Sequence, residues 1–151
     1  MARWGVAFNK GAASVQTVAS LSAAAASPRR ARIYDWTLGC GAAPADNAFT
    51  HIAQRHTAPG TLTNTKTPNA LDPADALAST IVTKDTCTVD GTLTAGAFLL
   101  WKPLNQRATF RWVAAPYGEL LIPATANNGI TLGLSAASTT SFDYDVNYEE
   151  L

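Results

Sequence analysis

The sequence predicts an all-β protein, an antiparallel β-sandwich of jelly-roll type with an extended N-terminal arm. Three observations lead to this prediction. Apolar and polar residues alternate with a period of two in several segments, turn-forming residues separate these segments, and only one short stretch has a helical pattern. Short strands joined by turns over 151 residues are typical of two packed sheets.

The alternation is clearest in three segments, residues 32–38, 109–113 and 141–148. In the first, Tyr34, Trp36 and Leu38 are expected on one face of a strand. In the second, Phe110 and Trp112 fall together. The third sends four large side chains to one face and four small polar ones to the other, which predicts a strand with one face in water.

Seven further strands are expected, at residues 3–8, 14–20, 48–57, 79–83, 97–102, 119–122 and 129–135. Turn signals separate them, and Asn127-Asn128-Gly129 suits a tight hairpin because Asn and Gly accept positive φ. The single helical prospect is residues 72–78, where Asp72 is a candidate N-cap and Pro73 takes the first helical position.

Two parts of the chain are distinguished. Residues 1–29 are expected to form an N-terminal arm, partly strand, that contacts other subunits, and residues 30–151 to form the jelly-roll sandwich. Forty-two strongly apolar or aromatic residues, not counting Ala, suffice for one core in one domain of ordinary size.

Composition excludes several classes of protein. The 11 basic residues balance the 11 acidic ones and only 15% of residues are charged, so the chain lacks both the charge of disordered proteins and the basic excess of nucleic-acid binders. We expect no signal peptide and no membrane span. Cys40 and Cys87 belong to no CxxC pair, and are expected either as two thiols in a reducing cytoplasm or as one disulfide.

The zero net charge is a cancellation between the two ends of the chain. Residues 1–34 carry five basic residues and no acid, whereas residues 112–151 carry five acids and no Lys or Arg. Two interpretations are open. In the first, the two ends pair within one subunit or are solvated separately. In the other, the basic arm reaches an acidic surface on another molecule.

If the basic arm reaches another molecule, it is the arm that makes the partner contacts. Trp4 beside Arg3 would be an anchor in a partner's pocket, because aromatic and Arg side chains dominate interface hot spots. The candidate partner-contact residues are Arg3, Trp4, Lys10, Arg29, Arg30 and Arg32.

The remaining tryptophans and arginines have simpler interpretations. Trp36 and Trp112 have the alternation expected of core positions, whereas Trp101 is less constrained. Arg107 and Arg111 are interpreted as residues on the wet face of a strand that pair with neighbouring strands or subunits.

No motif in the sequence indicates catalysis or a cofactor. GxSxG, HExxH, phosphate-loop and dinucleotide-binding patterns are absent. His51 and His56 would face opposite sides of a strand, so they are interpreted as ordinary core or surface residues rather than joint metal ligands. Asp143 and Asp145 are interpreted as a solvated strand face rather than a calcium site. We therefore expect no catalytic, cofactor-binding or metal-binding residues.

Several segments together resemble small structural proteins of tailed bacteriophages. They are residues 104–116 (LNQRATFRWVAAP), 118–130 (GELLIPATANNGI), 44–48 (PADNA), 54–55 (QR), 70–75 (ALDPAD) and 149–150 (EE). The resemblance covers approximately residues 30–150 and implies a virion component without catalytic residues. It implies a head decoration or cement protein on the outside of the capsid, made in the host cytoplasm.

The leading expectation is thus a non-enzymatic cement protein that forms homotrimers and binds the major capsid protein, with no nucleic-acid or membrane partner. A trimer that clamps several shell subunits would gain avidity without tight individual contacts. The alternative is a tail or head-fibre jelly roll that binds host-surface carbohydrate, favoured by exposed aromatic residues around a shallow cleft. A buried pocket holding His51 or His56 beside a carboxylate would instead favour an enzyme.

Overall fold

The computed structural model describes residues 2–41, 43–75 and 79–151, and in these residues it contains β-strands and no helix. The strands are β1 (Arg3–Asn9), β2 (Val15–Ala23), β3 (Ala31–Cys40), β4 (Ala48–Ala58), β5 (Thr61–Lys66), β6 (Asn69–Ala70), β7 (Ile81–Val89), β8 (Thr92–Asn105), β9 (Phe110–Val113), β10 (Leu120–Ile122), β11 (Gly129–Ser138) and β12 (Phe142–Glu150). The predicted all-β class is confirmed.

The strands form two antiparallel sheets that pack against each other as a sandwich. The first sheet has the order β10-β3-β12-β1-β6, and β9 pairs with β3 beside β10. The second sheet has the order β5-β7-β2-β11-β4-β8. The pairings are nested along the chain, because β1 pairs with β12, β2 with β11, β3 with β10 and β4 with β8.

The hydrophobic core lies between the sheets, and β12 shows how the sequence builds it. Phe142, Tyr144, Val146 and Tyr148 are at most 1% exposed, whereas the residues between them lie towards the outside. Trp36 packs edge-to-face against Tyr144, with ring centroids 5.3 Å apart. The alternation predicted for this strand is confirmed.

The predicted arm is wrong, because its described part, residues 2–29, belongs to the sandwich. β1 lies between β12 and β6, with Trp4 directly opposite Tyr148. Trp4, Val6 and Phe8 point into the core and are at most 7% exposed. β2 lies between β7 and β11 in the other sheet. The division at residue 30 therefore falls between two strands of one sandwich.

A β-bulge in β3 corrects another prediction. Asp35 and Ile33 lie opposite consecutive residues of β12, so Tyr34 is the extra residue. Ile33, Trp36 and Leu38 are at most 2% exposed, whereas Tyr34 is only half-buried and lines an outer groove. Tyr34 therefore does not share a face with Trp36 and Leu38.

Two strands, β5 and β6, are not predicted by the sequence, and the described part of the expected helix, residues 72–75, is not helical. β5 is an edge strand with one buried residue, Leu62, so it lacks a clear alternation. Within the expected helix, residues 72–75 form a turn in which the Asp72 carboxylate accepts a hydrogen bond from Ala74 N at 2.9 Å. Residues 76–78 of that prediction lie outside the described residues.

The predicted turn at residues 127–129 is present, but it is not a hairpin. Asn127 has a φ of 62°, and Asn128 N donates to Thr125 O at 3.0 Å. The turn joins β10 of the first sheet to β11 of the second. Gly129 begins β11, where a Cβ would lie 2.0 Å from Leu21 O, so the close approach of β2 requires glycine there.

No disulfide joins Cys40 and Cys87. Cys87 is buried in a small apolar cluster with Val15 and Leu62, whereas the Cys40 thiol lies 3.4 Å from Ser141 O. The sequence left two alternatives, two thiols or one disulfide, and the structure has two thiols.

Candidate interaction surface

Two of the six predicted contact residues are buried within the chain, so the prediction is wrong for them. Trp4 and Lys10 are each 1% exposed. Lys10 Nζ donates hydrogen bonds to the carbonyl oxygens of Ala13 (2.9 Å), Gly11 (3.3 Å) and Ser138. Burial lowers the pKa of Lys10. Lys10 therefore ties the β1–β2 connection to the end of β11 and does not reach a partner.

Arg32 connects the basic and acidic ends of the chain within one subunit. Its guanidinium pairs with Glu149 on β12, and its Nη1 lies 3.7 Å from Glu119. Arg3 and Tyr34 line the same groove, which has a volume of about 150 Å³. Intrachain pairing, one of the two interpretations of the charge asymmetry, is thus confirmed at Arg32.

The other three predicted contact residues, Arg3, Arg29 and Arg30, are exposed. Arg29 and Arg30 lie between β2 and β3, and Arg30 O accepts a hydrogen bond from Leu151 N at 2.9 Å. The chain's N-terminal basic residues therefore do not form one arm. A contact role for these three residues stays a prediction.

His51 and His56 lie on opposite faces of β4, as their spacing predicts. His51 Nδ1 is 2.7 Å from the Tyr144 hydroxyl in the core, whereas the His56 ring lies between the hydroxyls of Ser22 and Thr131, each 2.9 Å away. Burial lowers the pKa of both histidines to about 4, so both are neutral at pH 7. Their hydrogen-bond partners are hydroxyl groups rather than carboxylates, so the arrangement that would favour an enzyme is not formed.

Arg111 pairs with a neighbouring strand, as predicted. Its Nε lies 2.9 Å from Asp35 Oδ1, and its Nη2 lies 2.7 Å from Asp35 Oδ2. This two-point hydrogen bond is the main reason why the pKa of Asp35 is lowered. Arg107 is exposed at the start of the loop that leads from β8 to β9.

The β8 surface, defined by Phe98 and Trp101, exposes the chain's one exposed tryptophan. Phe98 is 43% and Trp101 51% exposed, and their rings meet edge-to-face at 4.8 Å. Leu100 packs against the core, so its neighbour Trp101 points away from the first sheet. Lys102 follows and is also exposed, but it pairs with His51, whose ring faces the core, so Lys102 lies on the other face of β8 from Trp101. The weaker constraint on Trp101 inferred from the sequence is confirmed.

β8 differs from the other edge strands of the described fold. It has 14 residues, whereas β5, on the other edge of its sheet, has six that are nearly all polar. In the first sheet, β6, β9 and β10 have only two, four and three residues. Short or polar edges resist association, whereas a long edge with exposed apolar side chains favours it.

The backbone of β8 is poorly suited to accept another strand. Its pairing with β4 is interrupted by register shifts, Gly96 has a φ of 70°, and Pro103 has no N–H to donate. The exposed side chains, rather than free backbone groups, therefore make β8 a candidate interaction surface.

A second surface is a groove on the outer face of the first sheet, which we call the small-residue groove. It is lined by Gly5 and Ala7 of β1, Asp145 and Asn147 of β12, and Asn69 of β6, and has a volume of about 310 Å³. The groove exists because Gly5 and Ala7 have little or no side chain between the longer residues around them. The sequence contains this signal, since small residues alternate with the large core residues of β1.

Asp143 and Asp145 lie on the solvent side of β12, as predicted. Asp143 accepts a hydrogen bond from the Asn9 side-chain amide. Among the described residues, no group of three or more His, Cys, Asp or Glu is arranged to hold a metal ion. Of the two aspartates, Asp145 lines the small-residue groove.

No family model, curated protein or solved structure matches this chain. None of the described residues forms a helix that is long and apolar enough to cross a membrane.

Proposed function

We propose that this chain is a non-enzymatic virion structural protein, a decoration or cement protein that binds the outer surface of a phage head and stabilises the lattice of the major capsid protein. Residues 104–130, which carry the resemblance to tailed-phage structural proteins, run from the end of β8 through β9 and β10 into β11. This continuous segment supports the proposal because it adjoins the β8 surface.

The single structural observation that carries the proposal is the exposed Phe98–Trp101 pair on the edge of a sandwich whose other edges are short or polar. Large exposed aromatic side chains are typical of protein contact sites. A compact domain with such a surface suits binding to another protein.

The proposal includes a jelly-roll classification and assembly as a homotrimer. The nested pairing of β1 with β12, β2 with β11, β3 with β10 and β4 with β8 supports the jelly roll, because it divides eight strands equally between two sheets. A trimer would present three β8 surfaces to a shell that repeats the same site, and so would bind with avidity.

The proposal predicts that a tailed phage encodes this chain, and the test uses that phage. Purified virions should contain the chain by mass spectrometry, and heads from a deletion mutant should bind the added protein and withstand heat better than undecorated heads. Replacing Trp101 by Ser should weaken binding to heads, whereas Val89→Ser, which changes another apolar residue that is 60% exposed, should not. Virions without the chain, or unchanged head stability after its addition, would contradict the proposal.

The same aromatic pair favours a second candidate, a tail or head-fibre module that binds host-surface carbohydrate. Sugars stack on exposed aromatic rings, and Trp101 is the one tryptophan that is exposed. The grooves lined by Arg32 and by Gly5 do not include Trp101. Binding to a host-surface polysaccharide in solution, lost in Trp101→Ser, would favour this candidate over the cement protein.

A further inference from the structure

We propose that this chain binds a small oxyanion, either a phosphate ion or a carboxylate group, in a pocket on the outer face of the second sheet, which we call the serine pocket. The pocket shares no residue with the β8 surface, so the inference goes beyond the proposed function. It has a volume of about 80 Å³, whereas one water molecule needs about 10 to 15 Å³. The residues that line it are Ser20, Ser22, Ala23, Pro59, Val82, Lys84 and Asn127.

The register of β2 with β7 builds the pocket. Ser20 pairs with Lys84 and Ser22 pairs with Val82, and residues that pair directly share a face of the sheet. This face is opposite the core, because Leu21, between the two serines, belongs to the core cluster. Although they lie on the outer face, Ser20 and Ser22 are only 1% and 3% exposed. Two buried hydroxyl groups and an ammonium group therefore line one small cavity.

The pocket contains a positive charge without a negative one. Lys84 is half-buried and has no hydrogen-bond or ion-pair partner within the described part of the chain. Its neighbour Asp85 points to the opposite face of β7 and pairs with Lys66 at 3.2 Å. No Asp or Glu is among the described residues that line the pocket. The Asn127 side-chain amide, also without a described partner, adds N–H donors. Such a set of groups attracts an anion.

The two serines connect the pocket to His56. Ser20 Oγ lies 3.1 Å from Ser22 Oγ, which lies 2.9 Å from His56 Nε2. On its other side the ring lies 2.9 Å from Thr131 Oγ1 through Nδ1. The ring reaches Ser22 across β11 because Gly129, which pairs with both residues, has no side chain, and a Cβ there would lie 2.8 Å from His56 Nε2. The pocket therefore lies at the end of a continuous chain of hydrogen-bonding groups.

The position of the His56 proton decides what the serines offer to a ligand. The neutral ring has one N–H and one acceptor nitrogen. With the proton on Nδ1, Ser22 must donate to Nε2 and Ser20 must donate to Ser22, so the pocket receives no serine proton. With the proton on Nε2, the ring donates to Ser22, and one serine hydroxyl is left to donate into the pocket. Because the oxygen atoms of an oxyanion accept hydrogen bonds, a bound oxyanion requires the second arrangement.

Nuclear magnetic resonance of the full-length, nitrogen-15-labelled chain tests the site at pH 7 in Tris-chloride buffer. Sodium phosphate or sodium acetate is added up to about 50 mM, above the millimolar dissociation constant expected for so small a ligand, and is compared with sodium chloride of equal ionic strength. The ring nitrogen resonances of His56 should shift saturably and end in the Nε2–H form. His51 is the control within the same spectrum, because it lies on the opposite face of β4 and contacts Tyr144.

A pair of lysine variants tests the role of the charge. Lys84→Met should weaken oxyanion binding at least about tenfold, because it removes a hydrogen bond to a charged group. Lys102→Met is the matched control, since it removes an exposed lysine outside the pocket, and it should change binding by less than about twofold. Acetate carries the carboxylate group of an acidic side chain, whereas phosphate is a free ion, so the tighter binder shows which source the pocket suits.

Three results would overturn the inference. They are a His56 resonance that responds to neither anion beyond the effect of chloride, equal binding by Lys84→Met and wild type, and a saturated chain whose His56 proton is on Nδ1. Thermal unfolding checks that each variant is folded. None of these results would contradict the proposed function, and a chain that binds oxyanions but is absent from virions would contradict the function alone.

Discussion

Replacing Trp4 by Ala tests whether the start of the chain belongs to the core or forms an accessory contact. Trp4 is 1% exposed, and a fully buried Trp removes about 150 to 250 Å² from water. At about 25 cal/mol per Å², its burial contributes about 4 to 6 kcal/mol. Part of this contribution remains with Ala, and tryptophan-to-alanine changes in cores cost about 3 to 5 kcal/mol. Such a loss is a large fraction of the stability of a domain of this size, about 5 to 15 kcal/mol.

The assay is urea unfolding at neutral pH, followed by far-ultraviolet circular dichroism at low protein concentration. Trp4→Phe provides a matched variant, because Trp4 Nε1 is buried and has no hydrogen-bond partner among the described contacts. Phe keeps most of the volume and loses no hydrogen bond, so we expect a cost below about 1.5 kcal/mol. Trp101→Ala, at a site that is 51% exposed, should cost about 1 kcal/mol or less. The reasoning is refuted if Trp4→Ala unfolds at the wild-type urea concentration.

Three further predictions follow from the same structure. Removing residues 1–14 should abolish the cooperative unfolding transition, because it deletes β1 from between β12 and β6; a truncated chain with wild-type circular dichroism would contradict this. Lys10→Met should lower the free energy of unfolding by about 1 to 3 kcal/mol, because it leaves the carbonyls that Nζ contacts without their donor; an unchanged urea midpoint would show that water replaces the ammonium. Burial lowers the pKa of His51 and His56 from 6.5 to about 4, so the unfolded chain takes up protons below pH 6.5 that the folded chain does not. Stability should thus be full above pH 6.5 and fall towards pH 4, by about 2 kcal/mol per histidine at pH 5. His56→Gln should show about half of the wild-type difference between pH 7 and pH 5, because His51 remains, and equal urea midpoints at pH 7 and pH 5 in wild type would contradict the assignment.

Some parts of the fold could be predicted from local pattern because local pattern is what determines them. The alternation from Phe142 to Tyr148 has one apolar and one polar face, and such a segment satisfies both faces only as a strand on the side of a core. The same reasoning succeeds for Phe110 and Trp112, which pack against the core while Arg111 stays outside. The sequence does not predict β5, because an edge strand needs few buried residues and therefore has no clear alternation of apolar and polar residues.

The candidate site was less predictable, because its parts come together only in the folded chain. The groove combines Gly5 and Ala7 with Asp145 and Asn147, which lie near the opposite end of the sequence. Phe98 and Trp101 lie within an apolar run, residues 97–101. The register shift in the pairing of this run with β4 decides which of its side chains point outwards. No local rule places such a shift.

The sequence by itself determined that this protein is a β-sandwich with ten of its strands, since the two-residue period and the turn residues act over a few neighbouring positions. Only the tertiary structure decided what the two ends of the chain do. Arg3-Trp4 and Lys10 have the composition of a contact arm, yet pairing of β1 with β12 buries Trp4 opposite Tyr148 and Lys10 against Ser138 O. Burial depends on partners distant in the sequence, so a tryptophan that looks free in the chain becomes core in the fold, and the exposed aromatic surface lies instead on β8.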